Sequence, residues 1–179
     1  MATLIDSNNS TPNYSLYLDS TIFKTGQAVL GKPYILDSVS FFICKTGSPL
    51  GTVSVEVYEG TGTFGSSMIP TGDLIAVSDG IGAATLPTTA LNVNFTFSEE
   101  NRIFMKAYPY LVFALVYLGL SDSDKVRCYY TANKHSGNMC YLTGAWNAEG
   151  LGDLNFRLYG ILPGPEVDTK YALPPLAKA

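Results

Sequence analysis

The sequence predicts an all-β protein: an antiparallel two-sheet β-sandwich of the jelly-roll kind, with extended N- and C-terminal arms. The first observation is a series of short runs rich in Val, Ile, Phe, Tyr and Thr, separated by Gly, Pro, Asn and Asp, which is the pattern of strands and turns. The second is that no stretch has the apolar spacing of an amphipathic helix. The third is the number of runs, because about eight or nine strands make one sandwich domain.

The first two clear strands alternate between apolar and polar positions. In residues 39–44, the side chains of Val39, Phe41 and Ile43 are expected to face the core. In residues 52–58, every second position from 53 to 57 is valine. Because side chains alternate across a strand, both runs indicate strands with one buried and one solvated face.

The next two strands differ in character. Residues 91–97 repeat the alternation. Their expected inward positions are Leu91, Val93, Phe95 and Phe97. Residues 110–117 are apolar on both faces, which predicts a central strand with a packed layer on each side.

Residues 126–131 and 154–161 complete the predicted set of strands. In the last run Leu154, Phe156 and Leu158 are expected to point inward. The outward positions of the predicted strands are mostly neutral and polar: Ser40, Ser54, Asn92, Asn94 and Asn155. Such a face costs little to desolvate, because no isolated charge has to be buried.

Two terminal segments fall outside the predicted sandwich domain, which spans residues 21–162. Residues 1–20 form a polar N-terminal arm, and residues 163–179 form a C-terminal arm with four prolines. A Pro-rich arm can lie extended with little entropy to lose. It would contact neighbouring subunits, or alternatively fold back on its own sandwich. Its expected contact residues are Tyr171, Leu173, Pro174, Pro175 and Leu176.

The charge of the chain excludes several classes of protein. Charged residues make up 15% and the formal net charge is −4, whereas an average soluble domain has roughly 25% charged residues. The chain is too apolar to be disordered and too acidic to bind nucleic acid through a basic field. No membrane partner is expected, because the most apolar run, residues 107–120, is too short for a spanning helix. The N-terminus lacks the basic and apolar regions of a signal peptide.

The reactive side chains do not favour an enzyme. His135 is the single histidine and is expected to be a solvated loop residue, so no catalytic triad and no zinc pattern can be assembled. Cys44, Cys128 and Cys140 are an odd number of cysteines, which indicates reduced thiols; a Cys128–Cys140 disulfide is the alternative. No cofactor is expected, although the acidic turns leave a structural calcium ion open.

The aromatic side chains offer a candidate binding site. Tyr129 and Tyr130 must face opposite sides of their strand, so that one is core and the other is exposed or covered by a partner. Exposed aromatic rings beside amides can stack on sugars. The candidate glycan contacts are Tyr130, Trp146 and Asn147; alternatively, Trp146 plugs one end of the sandwich.

The layout of core and turn positions resembles a known group of domains. The segments that carry the likeness are residues 27–29, 34–41, 45–51, 55–58, 72–78, 110–115, 144–146 and 153–160. They resemble jelly-roll modules of bacteriophage structural proteins and carbohydrate-binding-module-like domains of secreted proteins. The resemblance implies a non-catalytic role on the virion surface, as capsid decoration or in host attachment.

The expected function is therefore that of a virion structural protein. It would bind and stabilise neighbouring capsid subunits as a decoration or surface protein, and it would form a homo-oligomer on the particle. The alternative is a carbohydrate-binding or host-attachment module of a phage or a secreted protein, with a surface glycan as its partner.

Overall fold

The structure, a computed structural model, describes residues 1–119 and 123–164. These residues form two antiparallel seven-stranded sheets that pack against each other. The predicted all-β sandwich is therefore confirmed. Three short 3-10 turns interrupt the strands at Ala83–Thr85, Glu99–Asn101 and Met105–Ala107.

Sheet A is organised around a long strand, β4. Its strands are β1 (Thr3–Asn8), β2 (Tyr14–Leu18), β4 (Ile35–Thr46), β8 (Leu91–Thr96), β10 (Lys125–Ala132), β13 (Gly152–Leu154) and β14 (Phe156–Ile161). Strand β4 pairs with β8 along one edge. Along its other edge it pairs first with β14 and then, from Ile43 onward, with β10. Strand β1 pairs with β14, and β10 also pairs with β2 and β13.

Sheet B is centred on the apolar strand β9. Its strands are β3 (Lys24–Leu30), β5 (Thr52–Thr61), β6 (Ile69–Val77), β7 (Ile81–Gly82), β9 (Tyr110–Tyr117), β11 (Met139–Thr143) and β12 (Ala145–Glu149). Strand β9 lies between β3 and β5, so it has the central position that its sequence predicts.

The main core lies between the two sheets. The inward residues of β4, β5, β8 and β14 are buried there as the alternation predicts, among them Val39, Phe41, Ile43, Val53, Val55, Val57, Phe95, Phe156 and Leu158. Leu91 is the exception, because its side chain is 57% exposed. It is the first residue of β8, whose pairing is with β4 alone, so no further strand shields it.

A second apolar cluster covers the outer face of sheet B. Its buried members are Ala28, Met68, Val112 and Cys140, with Phe64, Tyr110 and Trp146 packed around them. Phe64 stacks on Tyr110, with ring centroids 5.4 Å apart. This cluster is the second packed layer that the two apolar faces of β9 predict.

The structure corrects the predicted N-terminal arm. Residues 3–8 and 14–18 are strands β1 and β2 of sheet A, so the sandwich domain begins near the N-terminus and not at residue 21. The polar side chains there are paired within the domain: Asn8 is buried, and its Nδ2 donates to Thr131 Oγ1 at 2.9 Å and to Leu154 O at 3.1 Å. Backbone pairing and such bonds hold this polar segment in place.

The three cysteines are free and buried. Cys128 lies on β10 in the main core, whereas Cys140 lies on β11 in the outer cluster of sheet B. The two side chains cannot form a disulfide across a pair of neighbouring strands, because their strands belong to different sheets. This arrangement agrees with the prediction that the cysteines are reduced thiols.

Burial should make two of these thiols inert in the folded protein. Burial raises the pKa of Cys128 and of Cys140 to about 12, so almost no thiolate, the reactive form, is present at neutral pH. We expect iodoacetamide to leave both residues unlabelled in the native protein and to label both in guanidinium, as read by peptide mass spectrometry. Rapid labelling of either residue without denaturant would contradict this prediction.

Candidate functional site

The outward side chains of sheet A form a continuous polar and aromatic surface. We call it the sheet A face and define it by Ser38, Ser40, Phe42, Cys44, Asn92, Asn94, Arg127, Tyr129, Arg157 and Tyr159. These residues point away from the core because their neighbours on β4, β8, β10 and β14 point into it. Strand pairing places Asn94 and Arg157 on either side of Ser40.

Three clefts indent the sheet A face. The first, of about 260 Å³, is lined by residues 8–12 together with Phe42, Asn92, Asn155 and Arg157. The second, of about 410 Å³, shares Asn92 and Arg157 with it and extends to Tyr159. The third, of about 640 Å³, shares Phe42 with the first and extends along Tyr129 and Arg127. The shared residues join the three clefts into one groove across the sheet.

Asn155 fixes one wall of this groove. It lies where β13 and β14 diverge, and its backbone N–H donates to Tyr129 O while its backbone carbonyl accepts from Phe42 N–H. The side-chain Nδ2 donates to Ser10 O at 2.6 Å, which ties the segment after β1 across the sheet. The sequence predicts Asn155 as an outward neutral residue; it points outward, but this segment leaves it only 5% exposed.

The opposite end of the groove is built from stacked aromatic and cationic groups. The Arg127 guanidinium lies 4.7 Å from the centre of the Tyr17 ring and donates to the Tyr17 hydroxyl. Tyr129 packs edge-on against Phe42, with ring centroids 5.5 Å apart. A hydrogen bond with Tyr129, and then the contacts with Tyr17, raise the pKa of Arg127, so it stays cationic.

The charge of the groove is of one sign. Its cationic residues are Lys45, Arg127 and Arg157, and none of the residues that line the three clefts, all within the described part of the chain, is acidic. This contrasts with the net charge of −4 for the whole chain. The groove is therefore a local cationic region on an acidic protein.

The predicted glycan residues lie elsewhere and in different sheets. Tyr130, on β10, packs against the main core and stacks on Tyr14 at 5.3 Å. Trp146 lies on β12, half-buried against the outer cluster of sheet B and 6.1 Å from the Tyr58 ring. The structure does not bring Tyr130 and Trp146 together into one site.

Asn147 has a local structural role. Its Nδ2 donates to Ala145 O at 2.8 Å and to Thr143 Oγ1 at 3.1 Å. These bonds close the β11–β12 hairpin, whose turn passes through Gly144 with a φ of +82°, a conformation that favours glycine.

The polar groups beside Trp146 are paired within the chain. Lys24 forms an ion pair with Glu56 and donates to the Tyr58 hydroxyl at 2.9 Å. The outer face of sheet B is thus an apolar cluster with a closed polar network beside it, and it leaves fewer groups for a ligand than the sheet A face.

The side chain of His135 is buried, and its predicted exposure to solvent is wrong. Its side chain is 7% exposed and packs edge-on against Phe156 at 5.1 Å. Nδ1 accepts a hydrogen bond from Gly137 N–H, which places the ring proton on Nε2, 3.1 Å from Asp6 Oδ1. Burial alone would raise the pKa of Asp6, but the contacts with His135 and Lys32 outweigh it and hold the pKa below its usual value.

Asp153 completes this buried polar region. Its Oδ2 accepts from the backbone N–H groups of Lys134 at 2.7 Å and His135 at 2.9 Å, and its Oδ1 accepts from Gln27 Nε2 at 3.3 Å. The bonds hold the β10–β11 loop against the end of the sandwich. Sequence reasoning missed this role, because the partners of Asp153 are backbone groups that leave no motif.

The predicted contact residues of the C-terminal arm lie outside the described residues: Tyr171, Leu173, Pro174, Pro175 and Leu176. Within residues 1–119 and 123–164, no group of three or more His, Cys, Asp or Glu side chains is placed to hold a metal ion. In the same residues, no helix has the length and apolar character needed to cross a bilayer.

The chain was compared with protein-family models, with curated proteins and with solved structures, and it matches none of them.

Proposed function

We propose that this chain is a non-catalytic virion structural protein that attaches to capsid subunits and stabilises them, with the sheet A face as a recognition surface. The observation that carries the proposal is that face itself: hydroxyl, amide and aromatic side chains form a continuous grooved surface with no acidic residue lining its clefts. The neutral groups of this surface cost little to desolvate, and its two arginines, which form no ion pair among the described residues, suit an acidic group of a partner.

The C-terminal segment is proposed as the attachment element. The core of the described residues is built from side chains that precede this segment, from Leu18 to Leu158. This segment combines prolines with apolar side chains at Tyr171, Leu173 and Leu176, which suits an extended peptide that docks on a neighbouring subunit.

Deletion of residues 163–179 should separate attachment from folding. We expect the shortened chain to keep the melting temperature of the full chain. Its affinity for particles that were assembled in the absence of this protein should fall at least about tenfold. Cosedimentation measures binding, and circular dichroism measures melting. The matched variant keeps the full length and replaces Tyr171, Leu173 and Leu176 by serine; it should lose binding to a similar degree. Unchanged binding by both variants would refute the attachment role.

A second function, carbohydrate binding or host attachment, is favoured by one specific observation. The clefts of the sheet A face combine amides, hydroxyls and aromatic rings with two arginines, which are the groups that bind sugar hydroxyls and ring faces. A surface protein of a particle can combine both functions, with one segment for attachment and one face for recognition.

A further inference from the structure

We propose that the sheet A face binds a polysaccharide that carries carboxylate groups. This inference rests on the recognition role proposed above and names its ligand class. Two arginines without ion pairs among the described residues, their spacing and the neutral groups around them support it.

The three arginines of the chain differ in their partners. Arg102 forms an ion pair with Asp37 at 3.0 Å. Arg127 and Arg157 both lie on the sheet A face, and within residues 1–119 and 123–164 neither forms an ion pair. In a chain with 15 acidic residues and 11 basic ones, two unpaired arginines on one face indicate a site for an anionic ligand.

Arg157 is held in place by one bond and keeps donors for a ligand. Its Nε donates to Asn9 Oδ1 at 2.8 Å, which orients the guanidinium at the border of the first two clefts. In the described part of the chain no partner is present for its terminal nitrogens. Two parallel N–H groups of a guanidinium match the two oxygens of a carboxylate.

The distance between the two arginines favours an extended ligand. Arg157 pairs with Ser40 of β4, and Arg127 pairs with Cys44 of the same strand. Strands β14 and β10 pair with the same edge of β4, so the two positions are separated only along the strand direction, by four residues or about 13 Å. A chain of several sugars with repeated carboxylates can reach both, whereas a single acidic sugar cannot.

The surface between and beside the two arginines carries neutral groups that suit sugar hydroxyls and ring faces. Asn92 and Asn94 of β8 are exposed and line the clefts across β4 from the arginines, and Phe42 with Tyr129 offers an aromatic surface. Asn155 adds a carbonyl oxygen, Oδ1, that is buried without a hydrogen-bond partner among the described residues. Leaving a buried acceptor unsatisfied costs free energy unless a ligand hydroxyl or a water molecule donates a hydrogen bond to it.

Affinity electrophoresis tests the proposal with defined polymers. Polygalacturonate, alginate and hyaluronan carry carboxylates, and methyl-esterified polygalacturonate is the neutral counterpart of the first. Because the chain has a net charge of −4, its overall field repels a polyanion, so retardation at low salt must come from a local site. We expect retardation by at least one carboxylated polymer and none by the methyl ester.

Arginine variants locate the site. Arg157→Gln should weaken the binding of the retarding polymer about tenfold, and Arg127→Gln should weaken it similarly. Lys106→Gln removes the same charge from an exposed residue off this face and should change affinity less than about twofold. Arg157→Gln should keep the wild-type melting temperature, which separates ligand contact from stability.

Several outcomes would overturn the inference: no retardation by any of the three carboxylated polymers, equal retardation by the methyl ester, or equal loss for Arg157→Gln and Lys106→Gln. If no polymer binds while particle binding still depends on residues 163–179, the ligand class is wrong and the virion role stands. If a polymer binds through Arg157 but particles do not bind, the ligand class stands and the attachment role is wrong.

Discussion

Replacement of Phe156 by alanine should lower the free energy of unfolding by about 3–5 kcal/mol. The ring is 2% exposed and lies on the inward side of β14, between Asn8 of β1 and Phe41 of β4. It also carries the edge-on contact with His135. The truncation thus removes core volume and loosens the buried histidine in a single step.

Urea denaturation followed by circular dichroism measures this loss. Tyr159→Ala is the matched control, because Tyr159 lies on the same strand but points outward and is half-buried. The free energy of unfolding should fall clearly less for Tyr159→Ala than for Phe156→Ala, since this substitution removes less buried apolar area. Equal losses for the two variants would show that β14 does not pack its inward face as described.

Replacement of Asp153 by alanine should lower the free energy of unfolding by about 3 kcal/mol, because it leaves two partly buried backbone N–H groups without an acceptor and removes one acceptor of a buried amide. The groups belong to Lys134, His135 and Gln27. Asp153→Asn keeps one acceptor oxygen and should cost less than the alanine variant. The backbone amides of Lys134 and His135 should also exchange with deuterium faster than in the wild type.

Asp73→Ala is the control for the loss of a carboxylate. Asp73 is exposed on β6, so its removal should change stability by less than about 0.5 kcal/mol. If Asp153→Ala unfolds at the same urea concentration as Asp73→Ala, the loop does not depend on the Asp153 carboxylate.

The sequence predicts the fold well where one face of a strand is buried. In β4, β5 and β14 the apolar period of two follows directly from burial, so Val39, Val55 and Leu158 could be placed in the core without any structure. Strand β1 could not be found this way. Its backbone pairs with β14, a partner at the far end of the chain, and its residues between Asp6 and Asn8 are polar.

The candidate site could be predicted only in part. The neutral outward character of Asn92, Asn94 and Ser40 is readable from the strand pattern. The groove is not, because it depends on the segment after β1, which crosses the sheet to Asn155. Only their chemistry groups Tyr130 with Trp146 in the sequence, since alternation within a strand does not reveal which sheet the strand joins.

The pairing of β1 with β14 has a consequence for how the protein reaches its folded state. Thr3 lies opposite Gly160, so sheet A cannot be completed until residue 160 has left the ribosome. Folds dominated by such distant contacts form slowly, on the millisecond-to-second scale. Until then the apolar inner side of sheet B lacks its covering sheet, and exposed apolar strands of this kind are prone to aggregation and suit binding by chaperones.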